Sequence, residues 1–273
     1  MLRRFGVLLL LLAVALAGCS RETDEPIETR SAQELYLQAE RELADGNESR
    51  AGRLFDEVER LYPYSEWAKR SMIMSAFSYY EAKRFGESRA AAQRYLDFYP
   101  ADEDAAWAQY LVALSYYDQI VDVARDQGMT FDALQELRET VERYPDSDYA
   151  KSAQLKFDLA LDHLAGKEMD IGRYYLKKGH YPAAINRFRV VVQEFQTTQH
   201  TAEALHRLVE AYLSLGLVEE AQTAGAILGY NYQGSPYYEE SYALLTGEGL
   251  ELRDSGEGWL SRIYRQVIQG KWL

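Results

Sequence analysis

Small and aromatic residues recur in this chain at the spacing of packed helices, most clearly between Gly172 and Phe188. Tyr175 follows Gly172 by three residues, a polar break that ends at Gly179 comes next, and Phe188 then follows Ala184 by four residues. Residues three or four apart share one side of a helix, and a glycine after a polar break is a typical helix end. The stretch therefore predicts two helices joined by a tight turn and packed through small residues, with aromatic rings filling the remaining space.

The same pattern occurs four more times along the chain. The small position of the first helix falls at Ala39, Ala76, Ala113, Gly172 and, less well, Val209, and that of the second helix at Ala51, Ser88, Ala133, Ala184 and Ala221. The steps from 39 to 76, from 76 to 113 and from 172 to 209 are each 37 residues. This pattern matches the tetratricopeptide repeat (TPR), a helical hairpin of about 34 residues. We therefore predict an all-α TPR superhelix of about five hairpins, against the alternative of a generic helical protein rich in Ala and Tyr.

Helix boundaries are also marked. Ser31 and Glu34 have the spacing of a capping box, which predicts a helix start. Proline cannot continue a helix and restricts the residue before it, so each Tyr-Pro pair is expected to end a second helix. These pairs are Tyr62-Pro63, Tyr99-Pro100 and Tyr144-Pro145. Because no segment shows sustained apolar and polar alternation, no sheet is expected.

Two insertions interrupt the period. Extra residues between Tyr117 and Phe131 predict an extended first helix followed by a loop. Further residues before Gly172 predict one long helix from Asp148 to Lys178, with Gly166 as the position of any bend. Residues 31–147 would then form an N-terminal TPR half with repeats 1–3. Residues 148–273 would form a C-terminal half with the long connecting helix, repeats 4–5 and a capping helix pair within 237–270.

The N-terminus has the features of an exported lipoprotein. Residues 1–18 read as a signal peptide, because Arg3 and Arg4 precede an apolar run shorter than the about 20 residues that span a bilayer. The run ends at Cys19, the single cysteine, in a sequence that resembles the bacterial lipoprotein signal. A covalent lipid on Cys19 is thus the one cofactor expected; the alternative is a leftover thiol. Residues 19–30 would be a lipidated flexible tether, and Ser20 after the cysteine favours the outer membrane.

Charge and residue usage narrow the possible functions. The net charge is −13 and becomes −15 when the signal peptide leaves, with 28 basic residues against 43 acidic ones. Such a surface repels phosphate backbones, so nucleic acid is not an expected partner. The four histidines lack the spacing of a helical metal site, and neither a phosphate-binding loop nor a G-x-S-x-G elbow occurs. We therefore expect neither a metal nor an enzymatic site.

The remaining candidate is a binding surface. In TPRs the concave face is lined by residues three before, one after and four after the small position of each first helix. In repeats 1–3 these positions are largely apolar: Tyr36, Glu40, Leu43, Ile73, Phe77, Tyr80, Tyr110, Leu114 and Tyr117. In repeats 4–5 they are mixed: Met169, Arg173, Leu176, His206, Glu210 and Leu213. A contiguous apolar concavity favours binding of an extended or helical peptide, although packing between repeats is the alternative use of each residue.

The run from Arg143 to Phe188 resembles the BamD (ComL) family. It reads Arg143-Tyr144-Pro145-Asp146-Ser147-Asp148-Tyr149-Ala150, then Asp162-His163-Leu164-Ala165-Gly166-Lys167-Glu168, Gly172-Arg173-Tyr174-Tyr175 and Ala184-Ile185-Asn186-Arg187-Phe188. The resemblance implies a periplasmic lipoprotein of the β-barrel assembly machinery, lipid-anchored to the outer membrane of a Gram-negative bacterium. Its N-terminal repeats would receive the C-terminal segment of unfolded outer-membrane proteins, and its C-terminal repeats would dock on a BamA-type barrel subunit and accessory Bam lipoproteins.

Carried over by position, the resemblance assigns residues to both surfaces. The substrate groove would contain Tyr36, Ile73, Phe77, Tyr79, Tyr80, Tyr110, Leu114 and Tyr117. Docking on the partner would use Arg173, Asn186 and Arg187. Two alternatives remain: a TPR lipoprotein that organises peptidoglycan enzymes, and a helical-solenoid enzyme such as a lytic transglycosylase. The latter would need a catalytic domain for which the repeats leave no room.

Overall fold

The computed structural model describes residues 27–121, 127–254, 256 and 258–271. The expected signal peptide and Cys19 therefore lie outside the described residues. Across those residues the chain is all-α, as predicted, with twelve α-helices after a short 3-10 turn at Ile27–Thr29 and no strand. The helices are α1 (Ala32–Ala44), α2 (Glu48–Leu61), α3 (Glu66–Glu81), α4 (Phe85–Phe98), α5 (Ala105–Tyr117), α6 (Gln127–Arg143), α7 (Asp148–Lys177), α8 (Tyr181–Glu194), α9 (Thr201–Ser214), α10 (Val218–Asn231), α11 (Pro236–Gly247) and α12 (Gly258–Ile268).

The helix boundaries follow the local signals in the sequence. At the start of α1, the Glu34 N–H donates to Ser31 Oγ at 3.3 Å and the Ser31 N–H donates to Glu34 Oε2 at 2.8 Å, so the capping box is confirmed. Second helices end immediately before the Tyr-Pro pairs, at Leu61, Phe98 and Arg143. A serine two residues after the proline caps α3 and α7, as where Ser147 Oγ accepts from the Ala150 N–H at 3.0 Å. The helix α5 begins instead after Asp104, which makes no side-chain cap bond.

Turns within hairpins end the first helix with a residue in the left-handed region. At the end of α7, the Gly179 N–H donates to Leu176 O at 3.0 Å and the His180 N–H to Tyr175 O at 2.9 Å. Gly179 has φ +73°, which glycine adopts without a Cβ penalty. Lys83 after α3 occupies the equivalent place with φ +57°, the one non-glycine residue with positive φ in the described part of the chain.

All ten small positions predicted from the repeat pattern are buried. The closest approach involves Gly172, because a Cβ built there would lie 2.4 Å from Phe188 Cε1. Only a residue without a side chain lets the Phe188 ring pack against α7 at this point. The two helices of a hairpin are thus held together by the small and aromatic residues that define the repeat motif.

The described contacts divide the chain into two compact units, one ending at Arg84 and one beginning at Phe85. The first contains α1–α3, with Leu35, Phe55 and Val58 fully buried in its core. The second contains α4–α12, with Leu137 and Ala153 buried between α5, α6 and α7 and a larger core from α7 to α12. The boundary expected after residue 147 falls inside the second unit, because α7 packs on α5 and α6 as well as on α8.

Two predictions for segments need correction. The first helix of the third hairpin is not extended: α5 ends at Tyr117, where the Gln119 and Ile120 N–H groups bond to carbonyls only three residues back. The predicted tether is ordered at its end, since the Tyr62 hydroxyl donates to the Arg30 carbonyl and the Arg30 guanidinium to Gln38. The long helix is confirmed, and α7 runs through Gly166 without interruption.

The final helix pair is confirmed as α11 and α12. Trp259 Nε1 of α12 donates to the Tyr212 hydroxyl of α9 at 3.2 Å, which ties the last helix to the fifth hairpin. None of the helices in the described ranges is long and apolar enough to cross a bilayer.

Candidate functional site

In the first unit, two of the predicted groove residues belong to the core. The Tyr36 ring lies 5.3 Å from the Phe55 ring and 5.0 Å from the Trp67 ring, measured between centroids. Ile73 is 3% exposed. Their assignment to a ligand groove is wrong for this structure, because both side chains are buried. This is the inter-repeat packing that the sequence left open.

Tyr79 is likewise a structural residue. Its hydroxyl donates to Asp56 Oδ2 at 2.6 Å, and Ser75 Oγ donates to Asp56 Oδ1 at 2.7 Å. The Arg84 guanidinium carbon lies 4.9 Å from the centre of the Tyr79 ring. Burial, and then the hydrogen bond to Asp56, raise the pKa of Tyr79. This network fastens α3 to α2, so the groove assignment of Tyr79 is corrected as well.

Two groove residues of the first unit remain partly exposed. Phe77 and Tyr80, here called the α3 pair, lie three residues apart and therefore share one side of α3. Both are intermediate in burial, unlike their neighbours Ala76 and Tyr79. The α3 pair is therefore the part of the predicted aromatic groove that this unit leaves partly exposed.

The second unit presents a longer row. Tyr110, Leu114 and Tyr117, here called the α5 row, are all partly exposed on one side of α5. The Tyr110 ring lies 5.7 Å from the Tyr149 ring of α7, which borders the row. Burial raises the pKa of Tyr110 and of Tyr117, so both hydroxyls stay neutral at physiological pH. The α5 row can therefore supply apolar contact area and neutral hydrogen-bonding groups together.

A lysine of α7 lies beside the α5 row. The Lys156 Nζ atom of α7 is 4.9 Å from the centre of the Tyr117 ring, within the range of a cation–π contact. No carboxylate of the described residues is within ion-pair distance of this ammonium, which leaves it available to an anionic ligand group. Sequence reasoning missed Lys156, although its spacing of seven residues from Tyr149 places both on the same side of α7.

The inner positions of repeats 4–5 form a buried core and an ion-pair network. Met169 is fully buried. Arg173 on α7 binds Asp170 at 2.6 Å and Glu203 of α9 at 2.8 Å. Arg207 on α9 continues the network to Glu203 at 3.4 Å and to Glu210 at 2.7 Å. The charges at these positions therefore bind neighbouring helices to each other.

His206 ends this network inside the protein. Its side chain shares a 2.8 Å hydrogen bond between Nδ1 and Ser241 Oγ of α11, and its Nε2 lies 3.2 Å from Glu240 Oε2 and 3.8 Å from Glu210 Oε1. Burial lowers the pKa of His206 in spite of these carboxylates, and the Arg207 charge acts in the same direction. The neutral imidazole thus links α9 to α11.

The three predicted docking residues do not share one surface. Asn186 is exposed on α8, and its neighbour Arg187 binds Glu168 of α7 at 3.0 Å while remaining 43% exposed. Arg173 lies five residues beyond Glu168, which at 3.6 residues per turn is about 140° around α7. The structure brings Asn186 and Arg187 together and separates Arg173 from them.

The described residues contain no group of three His, Cys, Asp or Glu side chains that could hold a metal ion. The site features are the α3 pair, the α5 row with the Lys156 ammonium beside it, and the polar residues Asn186 and Arg187 on α8. These features suit binding of polypeptide segments.

The family model for YfiO, described as an outer membrane lipoprotein, matches residues 28–227. Among similar proteins, the outer membrane protein assembly factor BamD of Caulobacter vibrioides is 47% identical over 243 residues, which is 88% of this chain and 80% of that protein. BamD of Rickettsia prowazekii is 39% identical over 87% of this chain and 94% of its own length. BamD of Neisseria meningitidis is 29% identical over 85% and 92%, respectively. The chain therefore belongs to the BamD family of outer membrane lipoproteins.

Proposed function

We propose that this protein is a lipid-anchored adaptor of the β-barrel assembly machinery at the periplasmic face of the outer membrane. It takes part in outer-membrane protein assembly without catalysing a reaction. It binds unfolded outer-membrane proteins and docks on a BamA-type barrel subunit and accessory Bam lipoproteins. The names of its relatives support the assembly role, and the observation that carries substrate binding is the partly exposed α5 row beside Lys156.

The chemistry of the α5 row suits the end of an outer-membrane strand. Such strands typically finish on an aromatic residue followed by the free carboxylate of the chain. An aromatic side chain gains contact area against Tyr110, Leu114 and Tyr117 at a small loss of side-chain entropy. The terminal carboxylate would pair with the Lys156 ammonium, an attraction that is favoured next to apolar rings, where water is partly excluded. The α3 pair gives the first unit an aromatic surface of its own for such segments.

The test is the affinity for a C-terminal β-strand peptide, measured by fluorescence anisotropy. Tyr80→Ala combined with Tyr117→Ala should weaken binding about thirtyfold, because truncation of two aromatic anchors at about 1 kcal/mol each removes about 2 kcal/mol. Helical content should stay intact, since both rings are only partly buried. Tyr64→Ala combined with Tyr230→Ala removes two exposed rings outside these surfaces and serves as the matched control. Unchanged affinity in the Tyr80 and Tyr117 variant would refute the assignment.

The proposed pairing of the peptide's terminal carboxylate with Lys156 is tested with the same assay. A peptide with an amidated C-terminus should bind the wild type more weakly than the free acid. Lys156→Met should remove that difference between the two peptides, while the aromatic contacts persist. Equal affinities of the wild type for both peptides would exclude Lys156 as the carboxylate partner.

Docking is proposed at Asn186 and Arg187, the pair that shares a surface on α8. Arg187→Glu should reduce co-purification of a large barrel protein from gently solubilised envelope, since it reverses the charge at the patch and repels Glu168. Arg173→Gln is the matched control, because Arg173 lies on another side of α7. Equal losses in both variants would point to a general effect on the fold and contradict the docking patch.

A further inference from the structure

The first half of α7 has an exposed face that no helix of the described chain covers. This α7 face consists of Lys151, Gln154, Leu155, Asp158 and Leu159, all of which are exposed. Leu155 is 73% and Leu159 is 49% exposed, and the two leucines lie one helical turn apart. α8 packs on the second half of α7 instead, through Glu168 and Gly172.

Comparison with α9 shows what the α7 face lacks. Ser147 before α7 and Thr198 before α9 occupy the same place in the connecting turn, since each N–H donates at 3.0 Å to the aromatic residue three positions earlier. With these two residues aligned, Gln154, Leu155 and Asp158 correspond to Leu205, His206 and Val209. Those three α9 residues are buried, and α9 packs against both α10 and α11. The α7 face is therefore the side of a first helix for which the chain supplies no second helix.

Open clefts lie at both ends of the α7 face. One, of about 410 Å³, is bordered by Val141, Pro145 and Leu155. The other, of about 430 Å³, is bordered by Leu159, Asp162 and Thr198. Each volume lies in the range of ordinary ligand pockets, so each cleft can accept a side chain of a bound segment.

Charge indicates the character of that segment. Asp158 and Asp162 flank Leu159, and they accept hydrogen bonds only from neutral amides, from Gln154 at 2.7 Å and from Gln199 at 2.8 Å. In the described chain no lysine or arginine pairs with either carboxylate. The imidazole of His200 lies beside Asp162, with Nε2 3.7 Å from Asp162 Oδ2. The open carboxylates favour a basic side chain on the occupant.

The chain's own N-terminal segment does not fit this requirement. Between Cys19 and the first described residue it carries Glu22, Asp24 and Glu25 against one basic residue, Arg21. Like charges would oppose its approach to Asp158. The occupant is therefore sought in another molecule.

We propose that the α7 face binds an amphipathic helix of another protein, with apolar side chains one turn apart and a lysine or arginine next to them. The apolar side chains enter the two clefts and cover Leu155 and Leu159, and the basic residue pairs with Asp158. This is the helix-in-groove mode of recognition. This surface is separate from the α5 row and from Asn186 and Arg187 on α8, so the proposal does not rest on the function proposed above.

The test uses a photo-crosslinking residue at position 155 of the full-length lipoprotein in its native envelope. Position 230 on α10 is the control, because Tyr230 is 56% exposed outside the α7 face. The expected result is one crosslinked partner specific to position 155. Its crosslinked peptide, mapped by mass spectrometry, should show apolar residues at helical spacing and an adjacent lysine or arginine. No crosslink above the control, or a mapped peptide without a basic residue, would overturn the proposal.

Charge-reversal variants test whether the occupant carries a basic residue at Asp158. Asp158→Lys should lower the crosslinking yield about tenfold, because it repels the basic residue of the occupant. Glu239→Lys on α11 is the matched control and should leave the yield unchanged. Unchanged yield with Asp158→Lys would contradict a basic occupant. A crosslink to a second copy of this chain, with dimerisation in sedimentation, would instead make the α7 face a self-association surface and reject the proposal.

Discussion

At the scale of single residues, position on a first helix decides how far an apolar side chain is exposed. Tyr36 and Ile73 each precede their small residue by three positions, and both are buried, whereas Tyr110 at the same position of the third hairpin stays partly exposed. Phe77, Tyr80, Leu114 and Tyr117 follow theirs by one or four positions and stay partly exposed. In α3 a ligand can therefore reach only the positions one and four after the small residue, whereas in α5 the position three before it is partly exposed as well.

His206 makes stability depend on pH. Its pKa is lowered in the folded protein, so below the unfolded pKa of about 6.5 the unfolded chain takes up a proton that the folded one does not. The free energy of unfolding should thus fall as the pH drops from about 7.5 to 5.5, at a slope of at most about 1.4 kcal/mol per pH unit from this group. The groups facing the imidazole are Glu210 and Arg207 on α9 and Glu240 on α11.

The measurement compares urea denaturation of the wild type and His206→Gln at both pH values. The variant should lose less stability on acidification, because glutamine does not titrate. His163→Gln, at an exposed position on α7, should keep the wild-type pH dependence. Identical pH dependence in the wild type and His206→Gln would contradict the role of this histidine.

Sequence alone located the candidate residues but not their exposure. The family resemblance assigned Tyr79 to the groove, yet its hydrogen bond to Asp56, 23 residues away in sequence, depends on how α2 and α3 pack. Arg173 and Arg187 both lie in the stretch that resembles the BamD family. Only the packing of α8 on α7 shows that Arg187 contacts Glu168, on a different side of α7 from Arg173. The contact of Lys156 with the Tyr117 ring could not be predicted from the sequence either, because it requires α7 to lie against α5.

At the scale of elements, the pairing of first and second helices depends on the absence of side-chain atoms at a few points. The ring of Phe188 fills the position that a Cβ of Gly172 would require. The repeat motif predicted this contact, since it places a small residue and an aromatic residue opposite each other. The length of α5 could not be predicted, because its end depends on local turn hydrogen bonds after Tyr117 that the sequence does not signal by proline or glycine.

Gly172→Ala should destabilise the protein by about 1–3 kcal/mol, because its new methyl group overlaps the Phe188 ring. Gly86→Ala is the matched control: Gly86 lies in α4 with nothing within 4 Å of a built Cβ, so alanine should add about 0.5 kcal/mol of stability. Urea denaturation followed by circular dichroism measures both changes. A stabilising effect of Gly172→Ala would contradict the packing described here, and Phe188→Leu should partly rescue the variant.

At the scale of the whole molecule, attachment to the membrane is assigned to a single residue. The mature chain is strongly acidic, so its surface has no general attraction for anionic lipid headgroups. A multiply acylated Cys19 is therefore proposed as the anchor.

Cys19→Ala should move the protein from the membrane pellet to the soluble fraction on envelope fractionation. Ser20→Ala retains the attachment residue and should stay in the pellet. Retention of Cys19→Ala after a high-salt wash would show that a contact other than the lipid holds the protein.

The continuity of α7 has a mechanical consequence. Its 30 residues span about 45 Å, and this single helix packs on α5 and α6 at one end and on α8 at the other. Because no loop interrupts it, a displacement of the third hairpin cannot be absorbed by a hinge at this point. Such a displacement would tilt the whole of α7. The tilt would move the fourth hairpin, including Asn186 and Arg187 on α8. Binding at one end of α7 would thus be felt at the other through rigid transmission alone.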